Sequence, residues 1–310
     1  SSPVLKGGNL GVDKEGKEIA KASRKAMLPL YNAFYFFCLY ANAEGIKAKE
    51  ITSSTDVLDR YILAKLKTLV ESMHVSYETY DIGKACADAA EFLDILNNWY
   101  IRRSRVRFWD GTDAAAFDTL YTVLVTLSKA MAPIMPMLTE YVYRSLTNEE
   151  SVHLADYPNV DALKSEEGLI ASMDLVRSIS STAKAIREEH KLRNRLPLSS
   201  VTVAGEKATS LNDFADLIKD EVNVKEVKLS ADVASIADTF LYLKTPLIGK
   251  RLGKFMGAIM GASKTGDWSL NPDGTLFIAG QTLRADEFEL RLVLKEGLQG
   301  QALPDNTAVV

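Results

Sequence analysis

The strongest constraint on the fold is a change of hydrophobic period along the chain. Through about residue 190 apolar residues recur every three or four positions; beyond Pro197 they come in short β-like runs between helical stretches. Side chains repeat every 3.6 residues on a helix and every two on a strand, so the chain splits into a helical part and a mixed part. Residues 15–44 keep an apolar face through Ile19, Ala22, Ala26, Leu30, Phe34, Phe37 and Tyr40, with Pro29 a kink and Gly45 the stop. Ser54-Thr55-Asp56 caps a second helix carrying Leu58, Ile62, Leu63, Leu66, Leu69 and Val70, and Asp81 starts a third that runs to Trp99 and Tyr100. Thr112-Asp113 opens a fourth, to Met131; Pro133 and Pro136 separate it from a fifth ending near Leu146; a sixth covers about 166–190. Short connections make neighbouring helices antiparallel.

From Pro197 the pattern predicts a β-like stretch at 197–203, strands at 222–229, 239–243, 275–278 and 287–294, and helices at 209–221 and 247–261. The fold class is therefore mostly α: an antiparallel helical bundle over 16–195, then a small α+β domain over 196–310. A length of 310 residues accommodates two domains of about 150. Residues 26–43 are uncharged and long enough to test as a membrane span, but Pro29, Asn32, Asn42 and Tyr31, Tyr35 and Tyr40 favour a buried core helix. The chain starts Ser1-Ser2-Pro3-Val4 with no Met and no signal pattern, so it reads as beginning inside something larger.

Residues for chemistry are few. His74, His153 and His190 lie far apart, and Cys38 and Cys86 cannot build a disulfide framework or a four-thiolate zinc site, so neither a catalytic set nor a metal site is expected. No G-x-S-x-G elbow, P-loop or dinucleotide fingerprint is present; Gly261-Ala-Ser-Lys264-Thr265 reads as a turn after a helix. Two cysteines fit a reducing, cytoplasmic setting.

The binding signals are stronger. The net charge of −4 excludes a chain that is basic everywhere but not a local basic stripe. Trp99 to Trp109 holds Arg102, Arg103, Arg105 and Arg107 without one acid, and on a helix these make two adjacent basic rows. Arginine forks bind phosphate oxygens, and the flanking aromatics offer stacking surfaces for unpaired bases; equally, the arginines can pair with carboxylates of neighbouring helices, with Trp99 in the core. In a second cluster Lys184, Arg187 and Lys191 share a helical face, followed by Arg193 and Arg195; a solvated face with local ion pairs is the alternative. A third joins Lys244, Lys250, Arg251 and Lys254 to glycines at 249, 253, 257 and 261. One smooth helix side of this kind is expected to pack close to a sheet; its other use is close approach to an RNA backbone.

Several of these segments together resemble the C-terminal part of isoleucyl-tRNA synthetases, class I enzymes. Ser1-Ser-Pro-Val4 with Asn9-Leu10 resembles the segment after the catalytic domain, which makes residues 1–15 a connector. Leu28 to Phe37 with Tyr40-Ala-Asn42 resembles the first long bundle helix. Leu58-Asp59-Arg60-Tyr61-Ile62-Leu63 resembles a D-R-W-I-L motif with Tyr61 in place of Trp, and Asn98-Trp99-Tyr100-Ile-Arg102 resembles N-W-Y-[IV]-R. Met131-Ala-Pro133-Ile-Met-Pro136 with Glu140 and Tyr143, and Ser151-Val-His153-Leu154 with Pro158, resemble an A-P-x-x-P helix start and a closing S-V-H-L segment. The likeness extends through Arg193-Asn-Arg195-Leu-Pro197-Leu198, Glu221 to Val227 and Gly249 to Lys254. It points to the subgroup with eukaryotic cytosolic members, which lacks the zinc module.

The family's H-I-G-H and K-M-S-K-S signatures and its editing domain are absent, so the resemblance implies an anticodon-binding domain plus C-terminal domain, inactive alone. Its partner would be isoleucine tRNA, held for the catalytic and editing domains of the same parent chain, in a cytoplasmic monomer. ATP and magnesium would serve the parent enzyme and no cofactor this part. The contact surface implied is Trp99, Tyr100, Arg102, Arg103, Arg105, Arg107 and Trp109, then Arg187, Lys191, Arg193 and Arg195. The corresponding part of a valyl- or leucyl-type synthetase, or a helical module docking an acidic protein, are the alternatives.

Overall fold

A computed structural model describes residues 23–310 apart from 272, 296–297 and 304–306. The 1–15 connector, with Ile19 and Ala22 of the first helix, lies outside the described residues. The chain divides into two compact units after Ile170.

The first unit is helical. After a wide turn at Ser23–Met27 come α1 (Leu28–Glu44), α2 (Val57–Glu78) and α3 (Ile82–Ile95), which continues through a π-helical turn at Leu96–Ile101 into α4 (Arg102–Trp109); α5 (Ala114–Met131) and α6 (Pro136–Thr147) follow. Pro29 occupies the first turn of α1, where the π-helical turn at Ser23–Met27 passes into α-helix. Gly45, at φ 65°, ends α1 as expected of a residue without Cβ. Asp56, Asp81 and Asp113 each cap the helix they precede, accepting from Leu58 N, Lys84 N and Ala116 N. The uncharged α1 buries Leu30, Ala33, Phe34, Phe37 and Ala41, and no described helix is long and apolar enough to cross a membrane. Phe108 of α4 is fully buried between Phe36 and Phe117, edge to face at 5.1 and 4.9 Å, so α4 is seated by an aromatic cluster. Glu140 of α6 accepts from Ser151 Oγ at 3.0 Å and Val152 N at 2.8 Å, which joins the proline-led helix to the Ser-Val-His-Leu segment.

The second unit contains most of α7 (Glu167–Glu189), then β1 (Leu198–Ala204), α8 (Ala215–Val222), β2 (Val224–Ser230), β3 (Ala237–Leu243), α9 (Thr245–Leu252), α10 (Met256–Thr265), β4 (Trp268–Leu270), β5 (Leu276–Ile278), β6 (Gln281–Leu283), β7 (Phe288–Leu294), β8 (Gln301–Ala302) and β9 (Ala308–Val309). One sheet has the order β2-β1-β9-β8, with β1 parallel to β2 and antiparallel to β9; β3 pairs with β7, and β4-β5-β6 form an antiparallel meander. The helix expected at 247–261 is broken at Gly253–Phe255 into α9 and α10, and β4, β6, β8 and β9 are too short to carry a period-2 signal.

The change of period near 196 marks where strands begin, yet α7 groups with the strands. The physical reason is Arg187. It is 2% exposed, and its two Nη atoms donate to the carbonyls of Arg193, Leu196, Val222 and Asn223 at 2.7–3.2 Å. One guanidinium thus ties the end of α7 to the approach to β1 and the α8–β2 junction, although its own burial lowers its pKa. Lys184 pairs with Glu221 of α8. Of the basic face expected of Lys184, Arg187 and Lys191, Arg187 therefore turns inward, where its guanidinium replaces water for four carbonyls, Lys184 is half-buried against Glu221, and Lys191 stays exposed.

Two expectations follow. Arg187→Ala strips the donors from these carbonyls and should destabilise the second unit by about 1–3 kcal/mol in urea titrations, with Arg187→Lys a poor rescue because a single ammonium cannot replace the fork. Glu287 is held below the ordinary glutamate value, first by its bond from Arg251 Nε at 2.9 Å, against the opposing effect of its burial. A lowered carboxylate contributes stability above its unfolded pKa, about 4.3, and that contribution is lost as pH falls through the folded value. Thermal melts from pH 6 to pH 3 should therefore show a smaller acid-induced loss in Glu287→Gln than in the parent chain.

Candidate nucleic-acid interface

The arginine-rich helix α4 is positioned by a buried carboxylate. Asp59, in the first turn of α2, is fully buried. Its Oδ1 accepts from Tyr100 Oη and Arg107 Nη1, both at 2.8 Å, and its Oδ2 accepts from Arg107 Nη2 and Ser54 Oγ, also at 2.8 Å. The same guanidinium reaches Asp56 Oδ1 at 3.1 Å and Asp113 Oδ2 at 2.6 Å. Asp56 and Asp113 are the N-caps of α2 and α5, so Arg107 links the capping carboxylates of two helices to the helix that bears it. Burial disfavours its charge, but the fork to Asp59 and the bond to Asp113 outweigh this and raise its pKa. The bond from Arg107 is also the main reason that the Asp113 carboxyl is held low. Burial, together with Asp59, pushes the Tyr100 hydroxyl well above its usual range.

The eleven sequence-predicted residues thus have different fates. Trp99 and Tyr100 are buried, Tyr100 with its hydroxyl committed to Asp59. Arg107 is committed to three carboxylates and Arg187 to four carbonyls, so these four residues support the fold instead of presenting a contact surface. The arginine rows part: Arg107 makes the carboxylate pairing given as the alternative, while Arg102 and Arg105 lie on the exposed side. Ser104 and Phe108 face the core, which turns Arg102, Arg105, Val106 and Trp109 outward and leaves Arg103 and Arg107 half-buried on the flank. Trp109 is 54% exposed, and its indole N–H donates to Tyr40 Oη at 2.6 Å, which fixes a large aromatic face at the surface. Arg102 Nε donates to Asn98 O at 2.8 Å, holding that side chain along the helix.

In the second unit Lys191, Arg193 and Arg195 are exposed. Lys191 has φ 56° and occupies the left-handed position that ends α7; its N–H donates to Glu188 O at 2.9 Å, and the N–H of Leu192 to Arg187 O at 2.7 Å. The 191–195 turn is therefore held from beneath by Arg187, which fixes the carbonyl of Arg193 within it and that of Leu196 just after it. Sequence reasoning missed Asp59, Tyr40 and Glu221, the partners that sort the cations. Their signals were an acid at the third position past a helix cap, a tyrosine and a glutamate, none distinctive alone. Among the described residues no three His, Cys, Asp or Glu side chains are grouped to hold a metal ion.

Asp59→Ala removes the partner of a buried arginine and a buried phenol. It should cost about 3–5 kcal/mol in denaturant-induced unfolding, whereas Arg105→Ala, on the exposed row, should change stability by less than about 0.5 kcal/mol.

Residues 59–203 match the family model described as the anticodon-binding domain of tRNA ligase. Over 299 residues the chain is 46% identical to the isoleucine–tRNA ligase of Leifsonia xyli, covering 95% of this chain and 26% of that protein. It is 44% identical over 310 residues to that of Mycobacterium tuberculosis H37Rv, covering 100% of this chain and 29% of the relative. The isoleucine–tRNA ligase of Rickettsia bellii is 39% identical over 326 residues, with 97% of this chain and 29% of the relative covered. Residues 59–203 are thus similar to anticodon-binding domains of tRNA ligases, and the chain is similar, nearly end to end, to a stretch of isoleucine–tRNA ligases that spans less than a third of their length.

Proposed function

We propose that this chain is the tRNA-holding part of an isoleucine–tRNA ligase, gripping the anticodon stem and loop so that the acceptor end reaches a catalytic domain of the same parent protein. Similarity to isoleucine–tRNA ligases over 95–100% of the chain carries this reading, and it favours isoleucine over the valine and leucine relatives. The parent would consume ATP with magnesium and reject wrong amino acids in its editing domain; the residues here would orient RNA. Assignment to the subgroup without a zinc module, a monomeric state and a cytoplasmic location are parts of the same proposal.

The contact surface proposed is the exposed row Arg102, Arg105 and Trp109 with Arg103 beside it, and the turn Lys191, Arg193 and Arg195. Guanidinium and ammonium groups would neutralise phosphates, a sequence-independent affinity that falls with salt, while Trp109 offers a stacking face to an unpaired base. Trp99, Tyr100, Arg107 and Arg187 serve by holding those groups in place. A surface that recruits an acidic protein is the competing use of the same cations, and tRNA binding separates the two.

Binding of isoleucine tRNA and of the same tRNA with a swapped anticodon, at two or more salt concentrations, tests the proposal. Tighter, salt-sensitive binding of the first is expected. Arg105→Ala should weaken both tRNAs alike and lower the salt slope by about one, whereas Trp109→Ala should narrow the difference between them. Salt-insensitive binding, or none, would count against an RNA-holding role.

A further inference from the structure

The hairpin formed by α9 and α10 has an outward face that nothing in the fold uses. From Lys244 to Thr265 the chain carries Lys244, Lys250, Arg251, Lys254 and Lys264 without one Asp or Glu. Arg251 is held by Glu287 and by the carbonyl of Thr282. Lys250, Lys254 and Lys264 are exposed and have no ion pair or side-chain hydrogen bond among the described residues. On α10 the core side is fixed by Ile259, fully buried with Met256 packed against the same cluster. At 100° per residue, Gly257, Gly261 and Lys264 fall on the opposite side of α10, and Lys254 lies in the 3₁₀ turn that leads into it.

The glycines on this side contradict the expectation that they let a helix approach a sheet. A Cβ added at Gly253, Gly257 or Gly261 meets nothing within 4 Å, so no neighbour among the described residues requires their smallness. Glycine inside a helix is destabilising relative to alanine, and its other use is to admit a ligand close to the backbone. Phe255 and Met260, also exposed, border the same hairpin. A row of lysines flanking bare backbone is complementary to a polyanion that comes within reach of both.

We propose that this face is a second RNA-docking surface, in which Lys250, Lys254 and Lys264 neutralise phosphates of the RNA backbone and Gly257 and Gly261 let that strand lie close to α10. The inference rests on the reading of the chain as RNA-binding, but on residues that take no part in the surface proposed above. It adds sequence-independent affinity, since phosphate contacts position RNA and carry no base information.

The test titrates the whole chain with an unmodified isoleucine tRNA transcript across a salt series. Lys254→Ala/Lys264→Ala should lower the salt slope by about 1.5–2, for transcripts of any anticodon alike. Gly257→Leu/Gly261→Leu, which places good helix formers in open space, should keep or raise the melting temperature and yet weaken RNA binding. Arg105→Ala is the control for the first surface. If Arg105→Ala lowers the slope and Lys254→Ala/Lys264→Ala does not, this face is not an RNA contact, an acidic protein partner becomes its use, and the first surface stands. If the parent chain shows no salt-dependent RNA binding, both fall. Undiminished RNA binding by the glycine variant would overturn the close approach.

Discussion

The first unit depends on one ion pair more than on any other contact. The Asp59–Arg107 fork sits where α2, α4 and α5 begin or end, and the guanidinium also meets the carboxylates that cap two of those helices. Three acids around one base leave net negative charge, which the N-terminal ends of α2 and α5 offset with their exposed N–H groups. Such a cluster repays its desolvation only if nearly every lone pair is used, and here Ser54, Tyr100 and the cap N–H groups complete it. The orientation of α4, and with it of Arg102, Arg105 and Trp109, is set by this polar knot beneath and by Phe108 beside it.

The second unit repeats the device in another form. Arg187 has no acid partner; it collects carbonyls from a turn and a helix–strand junction and so ends α7 against the strands. In both units an arginine drawn away from solvent holds backbone or helix caps in place, and its neighbours carry exposed cations. This arrangement suits a surface that must present charge to a polyanion without collapsing onto its own acids. A net charge of −4 then poses no obstacle, because the local field near a cation row outweighs distant acids within a Debye length of about 8 Å at physiological salt.

The hairpin α9–α10 shows the opposite economy. Its helices bury Ile248 and Ile259 against β3, β5 and β7 but leave Gly257, Gly261 and lysines outward, with no contact among the described residues that needs those two glycines. Elements that carry destabilising residues without a packing reason are those where selection acts on something outside the fold.

Much of the bundle was legible in the sequence, because each helix is marked locally: Asp56, Asp81 and Asp113 cap, Gly45 stops, and the apolar spacing shows which side is buried. The basic segments were legible as segments for the same reason. Which arginine would be buried was not, since Arg105 and Arg107 look alike in sequence, and only the placement of Asp59, 48 positions away, separates them. The grouping of α7 with the strands was likewise hidden, because it depends on partners such as Glu221 and the Val222 and Asn223 carbonyls far along the chain. The short strands escaped because two or three residues cannot display a period. Local pattern thus determined the elements, their caps and the kinds of residue available for binding. Tertiary structure decided which charges were desolvated and paired and which stayed in water, because ion pairing depends on distance in space and not along the chain.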